Sequence, residues 1–114
     1  MIEDTLFIRT FGNSPILKVM MFLLENKIFD YPKSEIAKEV GISRTTLNTF
    51  WEDMVKNEII IKTRTVGRAV MYKINTDSPI VKKMNELNNI VCKIYAERSV
   101  KEELNKPRPI SIKA

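Results

Sequence analysis

Two short helical segments joined by a glycine constrain the fold of this chain more than any other feature. In the first segment, Lys33 to Val40, the apolar residues Ile36, Ala37 and Val40 share one face. Gly41 follows directly, and glycine tolerates the left-handed backbone that a tight turn requires. Because Ala37 is small, we predict that a second helix crosses the first one closely.

The second segment begins at Ser43, whose hydroxyl can cap the first free N–H groups, and continues to about Lys56. Its predicted inward set is Leu47, either Phe50 or Trp51, and Met54. Ile42 is expected to fill the corner between the two helices. The outward residues near its start all carry groups able to hydrogen-bond base edges or phosphates: Arg44, Thr45, Thr46, Asn48 and Thr49.

The pattern changes between Ile59 and Asn75. A run of β-branched residues begins at Ile59, and a second run, in which apolar residues recur at every other position, ends at Asn75. The stretch from Thr65 to Arg68 between these two runs contains Gly67. This arrangement predicts a β-hairpin. The hairpin carries no acidic residue and four basic ones: Lys62, Arg64, Arg68 and Lys73.

The predicted organisation has four parts. Residues 1–12 form an N-terminal arm, in which Leu6-Phe7-Ile8 is either a strand or a segment that packs on a partner. Residues 13–76 form the main domain, with a core helix that starts after Asn13-Ser14-Pro15 and runs from Ile16 to Glu25. Residues 77–104 form a last helix, and residues 105–114 form a flexible tail.

The last helix carries two apolar sets that cannot both face one small domain. Asp77 or Ser78 is expected to cap it, with Pro79 in its first turn. One set forms a heptad seam, so we predict that the helix pairs with a second copy. The alternative is that the same residues cover the domain's own core. The predicted dimer interface is Ile80, Met84, Leu87, Val91, Ile94 and Tyr95.

Two further features are assigned to that interface. The N-terminal patch is a candidate to join it, through Leu6, Phe7, Ile8 and Phe11. Cys92, the only cysteine, is expected to be buried there as a small apolar residue.

The segment from Ser34 to Leu47 resembles the helix-turn-helix of winged-helix transcription regulators, the broad prokaryotic and archaeal group that includes the ArsR-like and MarR-like families. The resemblance extends from about Ile16 to Asn75. It implies a mainly α fold with a small β-hairpin, a winged helix-turn-helix with an added C-terminal dimerisation helix.

The resemblance also implies where double-stranded DNA binds. The helix over about 43–56 would enter the major groove, and the wing over about 64–69 would lie along the backbone or in the minor groove. The implied DNA-binding residues are Lys33, Ser34, Ser43, Arg44, Thr45, Thr46, Asn48, Thr49, Arg64 and Arg68.

The sequence departs from the family pattern at three places. Glu52 and Asp53 are acidic where the family often has basic residues, so DNA contact should be confined to the first two turns. Glu58 stands where the family usually has glycine, and we expect Asn57 to take the left-handed position instead. Phe50 is large for an outward site.

The composition favours one class of partner and excludes some kinds of site. The net charge of +5 and the pI near 9.4 favour an acidic partner such as nucleic acid. With one cysteine and no histidine, the chain cannot build a zinc site of those ligands or a histidine-based catalytic pair. We therefore expect no enzyme activity, no metal and no cofactor.

The expected function is that of a homodimeric, sequence-specific DNA-binding transcription regulator, a repressor, in the cytoplasm and without a membrane anchor. Two alternatives stay open. One is an architectural or segregation-type DNA-binding protein of low sequence specificity, and the other is a winged helix that binds only proteins.

Overall fold

A computed structural model describes residues 5–105 of the chain. Within that range lie five helices and a three-stranded antiparallel sheet: α1 (Leu6–Phe11), α2 (Pro15–Glu25), β1 (Tyr31–Pro32), α3 (Lys33–Val40), α4 (Arg44–Lys56), β2 (Ile60–Val66), β3 (Ala69–Ile74) and α5 (Pro79–Asn105). The mainly helical fold with a small sheet and a long last helix is the predicted one. Among these residues no helix combines the length and apolarity needed to cross a membrane.

Local signals fix the helix ends as predicted. The Ser14 hydroxyl accepts a hydrogen bond from the N–H of Leu17, with Pro15 at the first helical position. The Ser43 hydroxyl accepts one from the N–H of Thr46 at 3.0 Å. Gly41 ends α3 in the left-handed region, at φ 82°, and its N–H donates to the carbonyl of Ala37. These ends place the start of α4 directly after a tight turn.

The core is built around α2. Six consecutive residues of this helix are buried, from Val19 to Leu24, as expected for a helix that is apolar almost all round. The inward faces of α3 and α4 pack against it through Ile36, Leu47 and other buried side chains. Ile60 and Ile74, which pair across the hairpin, close the core from the side of the sheet.

The sheet contains one strand that the sequence did not predict. β1 pairs with β3 through Tyr31 opposite Tyr72 and Pro32 opposite Met71, which gives the order β1-β3-β2. A β-bulge interrupts β2 between Lys62 and Arg64. The middle of the hairpin is therefore tied to the segment that leads into α3.

The ends of the chain differ in part from the expectations. The N-terminal patch is a short helix and not a strand: Thr5 caps it, and its Phe7 and Ile8 are buried in the chain's own core rather than left for a partner. Cys92 is exposed on the single chain, so its burial in a dimer interface stays a prediction. The tail predicted over 105–114 lies outside the described residues except for Asn105, the last residue of α5.

The left-handed residue after α4 is Glu58, at φ 57°, and not Asn57, at φ −85°. The expectation for Asn57 was wrong because α4 continues through the N–H of Asn57, which donates to the carbonyl of Asp53. The chain therefore reverses direction at the next residue, Glu58. The carbonyl of Glu58 accepts a hydrogen bond from the side-chain amide of Asn75 at 2.9 Å, which fixes the strained turn against the end of the hairpin.

Glu58→Gly should raise the free energy of unfolding by about 0.5–1 kcal/mol. A left-handed conformation costs an L-residue about 1–2 kcal/mol, and the greater freedom of glycine in the unfolded chain offsets part of that gain. Urea denaturation measures the difference. Asn57→Gly is the matched control, since position 57 has an ordinary φ, and it should give no gain. Equal stabilisation by both variants would contradict the assignment of strain to Glu58.

Candidate nucleic-acid interface

The start of α4 presents polar side chains to solvent, but some of them are already engaged within the chain. The Ser43 hydroxyl donates to the hydroxyl of Thr46 at 3.0 Å, and the two together close the cap of the helix. The Thr49 hydroxyl donates to the carbonyl of Thr46 at 2.6 Å. Within residues 5–105, Arg44, Thr45 and Asn48 are exposed and have no such partner. In these three side chains all hydrogen-bonding groups remain available to a ligand.

A cleft of about 300 Å³ lies between the start of α3, the start of α4 and the hairpin. Four predicted site residues from these three elements meet there: Lys33, Ser34, Arg44 and Arg68. Tyr72 also lines it. Three cations around a concave surface attract a compact anion such as a phosphate.

The first turn of α3 adds to this attraction. Its N-cap is Pro32, which has no side-chain acceptor and leaves the first N–H groups of the helix without a side-chain cap. Because the N-terminal end of a helix carries partial positive charge, these N–H groups favour an anion as well. Both the backbone and the side chains of the cleft therefore suit the same ligand chemistry.

Lys33 is held in place by the core. Its ammonium lies 5.3 Å from the centre of the Trp51 ring, and the Trp51 ring meets Tyr72 of β3 edge to face at 5.0 Å. Burial lowers the pKa of Lys33, the positive charge of Arg44 lowers it further, and Glu52 opposes both. An anion in the cleft would relieve the repulsion between Lys33 and Arg44.

Arg64 does not join this group of cations. Its guanidinium donates to both carboxylate oxygens of Asp30, from Nε at 3.0 Å and from Nη2 at 3.1 Å. The Thr63 hydroxyl donates to the same carboxylate. Neighbouring residues of a regular strand point to opposite faces, so the bulge in β2 is what brings Thr63 and Arg64 to one acceptor. Arg64 anchors the wing to the loop before β1.

The acidic residues of α4 lie where the sequence placed them. Glu52 and Asp53 are exposed on the later turns of the helix, beyond Asn48, while Phe50 is half-buried against the core. The surface of α4 is thus cationic and polar at its start and anionic at Glu52 and Asp53, ahead of Lys56 in its last turn. A polyanion would be attracted most strongly to the first two turns.

The residues predicted for a dimer interface divide between two faces of α5. Val91 is buried in the chain's own core, and Met84 and Tyr95 are half-buried against it. Ile80, Leu87 and Ile94 are exposed, and so is Ile90, which sequence reasoning missed. The signal that would have found Ile90 is the second heptad row, at 83, 90 and 97. We call Ile80, Leu87, Ile90 and Ile94 the outer stripe.

Three solved structures are similar to this chain in fold. A ZitR double mutant from Lactococcus lactis in its apo form gives a TM-score of 0.61 at 17% identity, over 83% of this chain and 74% of that chain. A ZitR mutant in complex with DNA gives 0.56 at 17% identity, over 74% and 60%. Sso10a-2, a DNA-binding protein from Sulfolobus solfataricus, gives 0.52 at 16% identity, over 83% and 100%.

No protein-family model matches the sequence, and no curated protein matches it. The structural likeness nevertheless shows the class of fold: this chain has a winged-helix fold. In that fold α3 and α4 form the helix-turn-helix, and β2 and β3 form the wing. The chain spans about three fifths of ZitR in the DNA complex.

Asp30→Asn should lower the stability of the protein at neutral pH. Hydrogen bonds from Arg64 and Thr63 lower the pKa of Asp30 below its ordinary value of 3.8. A carboxyl whose pKa is lowered by folding stabilises the fold above its unfolded pKa, and that contribution disappears as the pH falls through the folded pKa.

The difference in unfolding free energy between wild type and Asp30→Asn should therefore be constant from neutral pH down to about pH 5 and shrink below about pH 4. Urea denaturation across this range measures it. Asp77→Asn, at an exposed aspartate outside this ion pair, is the control and should show no such convergence with wild type. A difference independent of pH would contradict the role of the ionised Asp30 carboxylate.

Proposed function

We propose that this protein is a homodimeric transcription regulator that binds specific sites in double-stranded DNA. The observation that carries the proposal is the meeting of Lys33, Arg44 and Arg68 around the uncapped start of α3, beside the free polar side chains of α4. The winged-helix neighbours support it, because one of them was solved in complex with DNA. By occupying its site, the protein would exclude other proteins from the promoter, so we propose repression.

The cleft and the start of α4 would take different parts of the DNA. Lys33, the N–H groups of α3 and Arg68 on the wing would bind backbone phosphates, which position the protein without carrying sequence information. Arg44, Thr45 and Asn48 would enter the major groove and contact base edges. Arg44 borders both regions, so it links the position of the protein on the backbone to its sequence preference.

Glu52 and Asp53 would set the limit of the contact. Phosphate repels both carboxylates, so α4 should enter the groove by its first two turns and not lie along it. This leaves a short contact surface in each chain. A second copy that binds an adjacent half-site would supply the rest of the specificity, which is the usual arrangement of helix-turn-helix dimers.

The outer stripe of α5 is the surface we propose for that second copy. The molecule measures 67 × 27 × 23 Å, and α5 is a helix of 27 residues in which only Val81 and Val91 are fully buried. Met84 and Tyr95 are partly covered by the core, whereas the outer stripe is left exposed in the described chain. A symmetric pairing of α5 would bury the outer stripe of both copies.

One observation favours a second candidate, an architectural DNA-binding protein of low sequence specificity. The hydroxyls of Ser43, Thr46 and Thr49 are engaged within α4, which leaves few side chains to distinguish bases. The two candidates differ in the ratio of their affinity for a selected site to their affinity for random duplex. A regulator should bind its selected site at least about a thousandfold more tightly than random duplex, whereas an architectural protein should bind both alike.

Arg44→Ala and Arg68→Ala should weaken DNA binding in different ways. Loss of Arg44 should cost about 1–3 kcal/mol on the selected site and relax the sequence preference. Loss of Arg68 should weaken binding to all duplexes equally and reduce the slope of log K against log salt by about 1. Fluorescence anisotropy on selected and random duplexes, at several salt concentrations, measures both effects.

Lys82→Ala is the matched control, since it removes an equal charge from an exposed position on α5. It should change binding little. The proposed interface would be refuted if Arg44→Ala bound DNA as wild type does. Equal, weak binding of wild type to every duplex would favour the architectural candidate instead.

A further inference from the structure

The charge pattern around the outer stripe determines in which direction a second α5 can pair with the first. We propose that two copies of α5 pair antiparallel, with Leu87 of each copy facing the partner's Ile90. This inference rests on the proposed homodimer and adds its geometry.

The outer stripe has the spacing of a coiled-coil seam. Ile80, Leu87 and Ile94 are seven residues apart and are 46%, 37% and 49% exposed. Lys83, Ile90 and Glu97 follow each of them by three residues, and Ile90 is 53% exposed. Such alternating steps of three and four form one continuous seam on a helix. Between residues 80 and 97 the seam is apolar at its centre and carries one charge on each side, Lys83 toward the start of α5 and Glu97 toward its end; Lys101 continues it beyond this span.

A parallel pair would place like charges together. Each residue of a parallel seam lies opposite its own copy, so Lys83 would face the partner's Lys83 and Glu97 the partner's Glu97. At the edge of the seam, Lys93 would lie beside the partner's Arg98. Both arrangements repel, and no flanking pair of opposite charge compensates for them.

In an antiparallel pair centred between residues 88 and 89, these like-charge contacts are absent and opposite charges lie together instead. Leu87 then packs on the partner's Ile90, and Lys83 lies within one helical turn of the partner's Glu97. Glu86 lies beside the partner's Lys93, and the two-fold symmetry makes this contact twice. In the single chain, Glu86 and Lys83 already extend along this exposed surface, where they form an ion pair at 3.3 Å.

The same register gives cover to apolar surface near α1. An apolar hollow of about 460 Å³ lies at the start of α5, beside Ile80 and Leu87. In the antiparallel pair this hollow lies level with Ile94 of the other copy. There Thr10 of α1 lines the surface together with Ile94, and the next residue, Phe11, is 50% exposed. Helix α1 would thus border the partner's hollow.

The pairing also sets the distance between the two DNA-binding units. Each unit joins α5 at Pro79, and the two Pro79 residues would be 19 helical positions apart, roughly 28 Å along the axis. Half-sites one helical turn apart on DNA are separated by about 34 Å. The axial spacing of the two Pro79 residues is thus of the same order as the spacing of adjacent half-sites.

Spin labels distinguish the two directions. The labels are placed singly at Asn89 and Val100 through cysteine substitutions in a Cys92→Ser background, and double electron–electron resonance gives the distance between the copies. Antiparallel pairing puts the two Asn89 sites nearly level, whereas it separates the two Val100 sites by roughly 34 Å along the axis. The Val100 distance should exceed the Asn89 distance by more than about 10 Å.

Charge reversal tests the same geometry without labels. Lys93→Glu places a carboxylate against the partner's Glu86 and should raise the dimer dissociation constant about tenfold, since exposed pairs are individually weak. The double variant Glu86→Lys/Lys93→Glu should restore it. In a parallel dimer, Lys93→Glu would instead tighten association, because the new carboxylate would meet the partner's Arg98. Lys82→Glu, away from the seam, is the control for the charge change.

Sedimentation of the wild type separates the failure of this inference from that of the proposed function. A dimer with equal label distances, or one tightened by Lys93→Glu, would overturn the antiparallel direction and leave the homodimer standing. A wild type that stays monomeric at micromolar concentration would overturn both the dimer and its geometry. DNA binding by the start of α4 is measured independently of either result.

Discussion

The positions of the three cleft cations depend on one buried side chain, Trp51. The indole is 2% exposed, and it contacts Tyr72 of the hairpin on one side and the ammonium of Lys33 on another. It therefore joins α3, α4 and the sheet, the three elements that carry Lys33, Arg44 and Arg68. Because an aromatic ring of this size packs in few ways, it fixes the relative positions of these elements. The arrangement of the polar residues in the cleft therefore depends on how the hydrophobic core beneath them is packed.

Features encoded by local sequence were predictable. Ser43 and Gly41 mark the ends of two helices through hydrogen bonds within four residues, and Gly67 marks the turn of the wing. Features that depend on distant residues were not. Strand β1 exists only because Tyr31 meets Tyr72, and Asp30 meets Arg64 across 34 positions of sequence. For that reason sequence spacing could not predict that Arg64 has a carboxylate partner within the chain.

The exposed face of helix α5 is another feature that the sequence alone predicts incompletely. Sequence spacing predicted one seam that included Val91, while the structure turns Val91 inward and Ile90 outward. Adjacent heptad rows differ by only one helical position, about 100° of rotation, and here each has a β-branched apolar residue at its centre, Ile90 in one and Val91 in the other. The choice between them depends on α1, which covers one side of α5 through residues near Leu6 and Tyr95. The sequence did not predict α1 as a helix, so it could not predict the rotation of α5.

The proline at the start of α3 has a consequence for the energetics of the protein. A serine or aspartate at position 32 would satisfy the N–H groups of the first turn and typically add about 1 kcal/mol to stability. Pro32 leaves these groups to solvent in the free protein. On the proposed function, a phosphate of the DNA completes the helix, so part of the folding free energy of α3 is released only in the complex. Thermal stability would then report occupancy of the binding site.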